Sequence, residues 1–400
     1  MDPVRTSRPV VAVIGGGQLA RMMHESAIAL GIELRPLVEA DDGATGRVVV
    51  TKAAGSPADP GAVESLVDGA DVLTFEHEHI PREVLDALAE RLPIEPAPDA
   101  LVYAQDKIAM RERLTALGIP CPRWAVVRDE ADLAAFAADV GWPVIVKTPT
   151  GGYDGHGVHI AHGARDAADW FAPGPLLAEE LVPFACEAAA LLARSRSGQI
   201  RSWPVALTEQ EDSVCSVVTA PARALHPRTR ERARAIAERI ARELDVTGVL
   251  AVEMFVVGTG ADERVLVNEL AMRPHNTGHW TIDGSITGQF EQHLRAVLDL
   301  PLGSTDLIVP GSSAVMVNLL GSDLPDPARA LGDAMRAGGP TARIHLYGKE
   351  VRPGRKLGHV TVVDPDPARA LELARAAVAA LRGEQQPPAA APDPDPQEPR

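Results

Sequence analysis

Short apolar runs alternate with amphipathic stretches along the first hundred residues. Val10–Ile14 is apolar throughout and ends in Gly15-Gly16-Gly17, and an amphipathic segment then runs from Gln18 to Leu30, where Gly31 stops it. Further apolar runs at 32–38, 48–50 and 72–75 predict strands, and the segments 59–67 and 82–91 have helical spacing. Strands that alternate with helices in this way predict a doubly wound parallel sheet, an α/β domain over residues 1–105.

The pattern changes after that. Helices at 106–117 and 129–139 and strands at 124–127, 144–147, 158–160 and 176–180 outline a small α+β lid subdomain at 120–186. The chain then turns strand-rich, with strands predicted at 187–194, 200–206 and 214–219 and a long helix at 227–244. Strands 249–257 and 264–271 follow, joined by the hairpin-type loop Gly258–Glu263, and a helix at 287–298 closes a domain that spans 106–300. Strands 313–319, 342–347 and 358–363 and helix 366–382 form a last unit, residues 301–382. The proline-rich acidic segment 383–400 is expected to be disordered.

Charge and cysteine usage narrow the class. The formal net charge is -16, which argues against nucleic acid or an anionic membrane as the main partner but leaves room for local anion sites. Cys121, Cys186 and Cys215 are widely spaced with no CxxC, which fits a reducing cytoplasm and excludes a disulfide scaffold or a cysteine zinc site. The sequence contains no apolar run of about 18 residues, so no membrane span is expected. Of 39 basic residues only five are lysines, so a lysine here is more readily one chosen for its compact point charge. Lys107, Lys147, Lys349 and Lys356 fall in the motifs that follow.

Gly15-x-Gly17-x-x-Ala20 follows a strand and opens a helix, and Glu39 ends the next strand. That is the grammar of a dinucleotide site, so a nicotinamide oxidoreductase is one reading. A tight βα turn, or a helix N-terminus facing a substrate phosphate, fits the same residues. The segment from Lys147 through Gly151, Gly152, Gly155 and Gly157 sets a point charge and a glycine-rich loop between two strands, suited to wrapping phosphates. Glu253 and Glu269 interrupt the apolar hairpin strands. Alternation places Ala251, Glu253 and Phe255 on one face, and Val265, Val267, Glu269 and Ala271 on one face. Two acids so placed need a cation, and Mg2+ completed by nucleotide phosphates suits them. Arg273 and His275 at the end of the second strand can hold a small planar anion such as bicarbonate. Lys349, Arg352, Arg355, Lys356 and His359 suggest a phosphate site. Glu76 sits at the carboxyl end of a parallel strand, where such sheets bind ligands.

Lysine, glycine-rich hairpin and carboxylate pair together resemble the ATP-grasp fold. Within it, GGGQLARMM, FEHEHIP, QDK, KTPTGGYDGHG, EELVPFACE, NELAMRPHNTGHWT and GKEVRPGRKLGH resemble the 5-(carboxyamino)imidazole ribonucleotide synthase family, over nearly the whole chain. The resemblance implies an N-terminal pre-ATP-grasp domain that carries no dinucleotide. It implies ATP-dependent carboxylation of aminoimidazole ribonucleotide by bicarbonate through carboxyphosphate, with ATP and Mg2+ as cofactors, in a cytoplasmic homodimer. A formate-using glycinamide ribonucleotide transformylase shares the glycine loop and carboxylates, but GRKLGH and PHNTGH favour the synthase.

The resemblance also assigns roles. Lys107, Lys147 and the loop Gly152, Tyr153, Asp154, Gly155, His156, Gly157 and Val158 would contact phosphates. Glu179, Glu180, Leu181 and Val182 resemble the strand whose backbone reads adenine, Glu187 would take the ribose hydroxyls, and Gln210 stands where relatives often have histidine. Glu253 and Glu269 would ligate Mg2+ beside Asn268. Gly17, Gln18, Glu76 and Asn276 would meet the ribonucleotide, and Lys349, Arg355 and Lys356 its 5′-phosphate. Arg273 and His275 would hold the carbonate while Tyr153 closes over the reacting centre. His156 departs from the usual arginine or lysine of the loop, which reduces its charge.

Overall fold

A computed structural model describes residues 8–152 and 156–384; Tyr153, Asp154 and Gly155 and the expected disorder of the acidic tail beyond 384 lie outside them. Strands β1 (Val10–Ile14), β2 (Glu33–Val38), β3 (Ala53–Ala54) and β4 (Val72–Phe75) form a parallel sheet in the order β3-β2-β1-β4. Helices α1 (Gln18–Leu30), α2 (Pro60–Val67) and α3 (Arg82–Ala89) connect and follow them. Alternation along β1 explains the two-sided burial. Ala12 and Ile14 pack with Leu66 and Leu85 on one face, and Val11 and Val13 with Met22 and Met23 on the other.

The predicted strand at 48–50 is not there. Val48 and Val49 close a helical turn on the carbonyl of Thr45, and Val50 is 94% exposed. Three β-branched residues are too few to hold a strand against a local turn; the edge strand forms at Ala53–Ala54 instead. A helix missing from the sequence reading, α4 (Pro98–Gln105), abuts α5 (Lys107–Ala116). Asp106 ends the first and caps the second, its carboxylate accepting from the N–H groups of Ile108 and Ala109.

Strands β5 (Trp124–Val127), β6 (Val144–Lys147), β7 (Val158–Ala161) and β8 (Leu176–Glu180) form an antiparallel sheet, order β5-β8-β6-β7, covered by α6 (Glu130–Val140). The remaining strands are β9 (Cys186–Arg194), β10 (Ile200–Ser202), β11 (Ala206–Glu211), β12 (Val214–Ala220), β13 (Gly248–Val257), β14 (Arg264–Ala271), β15 (Ser313–Leu320), β16 (Ala342–Leu346) and β17 (Lys356–Asp364). Their order is β14-β13-β9-β11-β12-β15-β17-β16, with β10 on β9, so the strands beyond residue 301 extend the central sheet. The expected strand at 200–206 is two strands. Trp203 drops into the core, donating from Nε1 to Ser285 Oγ, and Pro204 brings no N–H to a ladder. Helix α7 (Pro227–Glu243) packs Ala233, Ala237 and Ile240 on the sheet and pairs Arg234 with Glu231 and Glu238 on its wet face. No helix among the described residues is long and apolar enough to cross a membrane.

Candidate active site

The β1–α1 turn is built around a carboxylate. Glu76, just past β4, accepts from the backbone N–H of Gly17 and, at 2.9 Å, from that of Ala20. A Cβ on Gly15 would lie 2.3 Å from Glu76 Cγ, and one on Gly17 2.8 Å from Glu76 Oε1. The glycines therefore make room for a protein acid at the positive end of α1. That acid occupies the place a dinucleotide pyrophosphate would need and would repel it, which corrects the oxidoreductase reading of Gly15-x-Gly17.

Beside this turn lies a cavity of about 770 Å3. Gly17, Glu39 and Glu76 line one side, and Lys349, Arg352 and Arg355 line the other. Lys349 Nζ donates to Gln18 Oε1. Gly17, Gln18, Glu76, Lys349 and Arg355 are thus brought together as expected. Lys356 is not among them. It opens β17 opposite Leu320, and its charge acts on Glu253, His275 and His279. Two further lining groups escaped the sequence reading. Arg47 lies just before the run read as a strand, and Glu39, part of the dinucleotide grammar, was not read as lining this cavity.

The carboxylate pair lies on the β13–β14 hairpin of the central sheet. Glu253 of β13 and Glu269 of β14 are directly opposite in the ladder. A bulge shifts the register between Glu253 and Met254, so that Met254 pairs with Val267 and Asn268 is extra. This corrects the expected face. Val265 and Val267 point into the core with Leu270, while Ala271 packs on the opposite side with Ala251. The bulge thus puts Asn268 and Glu269 side by side, both partly exposed, at the cleft.

Four elements meet there. Lys147, at the end of β6, reaches Glu179 Oε2 at 2.6 Å and Asn268 Oδ1 at 3.2 Å. Arg111 of α5 has no exposed surface; it donates to Glu179 Oε1 at 2.5 Å and to the Asn268 carbonyl at 2.7 Å. Burial pushes the Glu179 carboxyl up, but Lys147 and Arg111 together hold it below its ordinary value. The Glu179 side chain therefore serves the lysine. Arg111 was missed, and its signal was slight: a lone cation on the face of α5 that buries Met110 and Leu114. Lys107 Nζ lies 4.0 Å from Glu269, and the backbone N–H of Lys107 donates to the Pro149 carbonyl, tying α5 to the start of the glycine loop. Gly152 lies beside that ammonium, whereas His156 and Val158 are exposed. Glu180 accepts from the Arg123 N–H at 2.9 Å. Leu181 and Val182 continue to Phe184, whose ring stacks on Phe255 at 4.8 Å. Glu187 on β9 is raised by burial and hydrogen-bonded to Gln210, an exposed β11 residue.

Beyond β14 the chain leaves the sheet. Arg273 Nε pairs with Glu78 at 2.9 Å, joining this segment to the end of β4. His275 Nδ1 stands 3.9 Å from Glu253 Oε1. Burial, then the charges of Arg273, Lys356 and His279, hold His275 well below the ordinary histidine value, so it is neutral. The Asn276 amide is buried with neither its nitrogen nor its oxygen partnered. Burial, then Glu269 and Glu187, push Glu253 up to about 8, against the opposing pull of Lys356 and Arg273. An acid raised by its acidic neighbours is one that a divalent cation would relieve. Two carboxylates facing each other, Glu253 and Glu269, suit an ion whose other ligands are phosphate oxygens and water, as with Mg2+.

Comparison with known proteins places these elements in context. Residues 9–105 match the ribonucleotide synthetase preATP-grasp domain, 112–290 the ATP-grasp domain, and 314–373 the phosphoribosylaminoimidazole carboxylase C-terminal domain. The N5-carboxyaminoimidazole ribonucleotide synthase of Mycobacterium tuberculosis (strain ATCC 25618 / H37Rv) is 49% identical over 378 residues, covering 92% of this chain and 87% of that one. That of Corynebacterium ammoniagenes is 44% identical, covering 90% of this chain and 88% of its own length. Among solved structures, the N5-carboxyaminoimidazole synthase of Aspergillus clavatus in complex with ADP and 5-aminoimidazole ribonucleotide superposes with a TM-score of 0.84 at 33% identity, over 94% of this chain and 98% of that one.

Proposed function

The chain belongs to the N5-carboxyaminoimidazole ribonucleotide synthase family of ATP-grasp ligases, and from that we propose how its residues divide the reaction. The reaction is the ATP-dependent carboxylation of 5-aminoimidazole ribonucleotide by bicarbonate, a step of purine biosynthesis. The arrangement that supports the division is the β13–β14 hairpin. It sets Glu253 against Glu269, and its continuation carries Arg273 to Glu78, beside the Glu76 that lines the ribonucleotide cavity.

ATP lies between the lid sheet and the central sheet. The backbone of Glu180, Leu181 and Val182 reads adenine, the Phe184–Phe255 stack supplies an apolar wall, and Glu187 with Gln210 takes the ribose hydroxyls. Lys147, held by Glu179 and Asn268, and Lys107 face the phosphates, with the glycine loop as cover. Glu253 and Glu269 would hold Mg2+, which neutralises phosphate charge. Bicarbonate attacks the γ-phosphorus through an oxygen, giving ADP and carboxyphosphate. Carboxyphosphate releases phosphate and CO2, and the exocyclic amine adds to the CO2 carbon with loss of a proton. Arg273, His275 and Lys356 hold the carbonate end, and Lys349 and Arg355 hold the 5′-phosphate. Carboxyphosphate is short-lived in water, so closure of the lid, with Tyr153 over the reacting centre, keeps water out. The chain acts as a cytoplasmic homodimer.

Oxygen tracing tests this route. With bicarbonate labelled throughout with 18O, one labelled oxygen is expected in each phosphate released. Unlabelled phosphate would remove carboxyphosphate from the scheme.

A further inference from the structure

The turn that carries His275 commits one of its ring nitrogens. His275 caps the short turn Asn276–Gly278, and its Nδ1 accepts the backbone N–H of Thr277 at 3.4 Å. The Thr277 hydroxyl lies 2.9 Å from the same nitrogen. A backbone N–H can only donate, so the nitrogen it faces bears a lone pair, and the hydroxyl beside it must donate as well. In a neutral imidazole the single ring proton then resides on Nε2. Thr277 is 1% exposed, which leaves little room for water to compete for Nδ1. The His275 backbone is clamped on both sides by the fully buried Gln289, whose Oε1 accepts its N–H and whose Nε2 donates to its carbonyl, each at 2.8 Å. Glu253 Oε1, at 3.9 Å from Nδ1, is beyond hydrogen-bond reach.

We infer that Thr277 is a positioning residue that holds His275 as its Nε2–H tautomer, so that His275 offers the bicarbonate-derived group a hydrogen-bond donor and not a base. The inference rests on the placement of bicarbonate at Arg273 and His275 proposed above. It adds what the histidine does there and which residue makes it do so.

Thr277→Val keeps the shape and removes the hydroxyl. It is expected to raise KM for bicarbonate about tenfold, the usual weight of one well-placed hydrogen bond, with KM for ATP little changed, and Thr277→Ser should restore the native value. His275→Gln keeps a side-chain N–H near the Nε2 position and should retain activity that His275→Ala loses. If His275→Ala raises KM for bicarbonate but Thr277→Val does not, the role of Thr277 is overturned. If His275→Gln is as inactive as His275→Ala, the donor role is overturned. If His275→Ala leaves that KM unchanged, the bicarbonate placement itself falls. A direct reading comes from the intact enzyme labelled with 15N-histidine, the His275 signals being identified by their loss in His275→Gln. Long-range proton–nitrogen correlations should show the ring proton on Nε2, and a proton on Nδ1 would overturn the inference however the variants behave.

Discussion

Glu253 ties the chemistry to stability. Its ordinary value is 4.5, and the fold raises it to about 8, chiefly by burial. The folded protein therefore favours the protonated acid, and the stability this brings is complete at low pH and is lost as pH rises through the folded value. Nucleotide-free protein should lose thermal stability between about pH 4.5 and about pH 8, and Glu253→Gln should flatten that slope. Calorimetry across pH checks it, and identical slopes in the two proteins would contradict it. If Glu269 ligates Mg2+ as proposed, Glu269→Ala should lower turnover by about 100-fold or more with an unchanged melting temperature. Unchanged ADP release from that variant would sink the metal assignment. Arg111→Met leaves buried Glu179 with Lys147 alone and should cost about 3–5 kcal/mol of stability, measured by urea unfolding. A loss under about 1 kcal/mol would mean the pair is not closed in solution.

The βα turn and the hairpin separate what periodicity reveals from what it conceals. Apolar runs located β1, β4, β13 and β14 closely, because each is a largely buried apolar stretch bounded by turn or polar residues. The bulge at Asn268 was not legible, since one extra residue leaves the composition of β14 unchanged and alters only which face follows. Gly15 and Gly17 were legible as a tight turn, but their partner was not, because Glu76 arrives from a strand sixty residues later. Gly15→Ala would drive a Cβ into Glu76 at a backbone φ of +115°. It should raise KM for aminoimidazole ribonucleotide about tenfold or more while sparing KM for ATP. Equal effects on both substrates would mean that the turn supports the fold at large and not that subsite.

The cleft exists because of the order in which strands are laid side by side. Gly17 and Glu76 come from the parallel sheet, Lys147 from the lid sheet, and Glu253 and Glu269 from one edge of the central sheet. Lys349 and Arg355 come from the connection between β16 and β17. Motif strings named most of these residues, since each string carries its own chemistry. They could not separate Lys356 from its neighbour Arg355, because the start of a strand turns one side chain toward Glu253 while the other stays at the cavity. The most direct measurement is ADP release from Mg2+·ATP and bicarbonate, with and without aminoimidazole ribonucleotide, repeated with formate and glycinamide ribonucleotide. Release should require both bicarbonate and the imidazole ribonucleotide and be absent with the second pair. Release that ignores the imidazole ribonucleotide, or that appears with formate and glycinamide ribonucleotide instead, would contradict the assigned reaction.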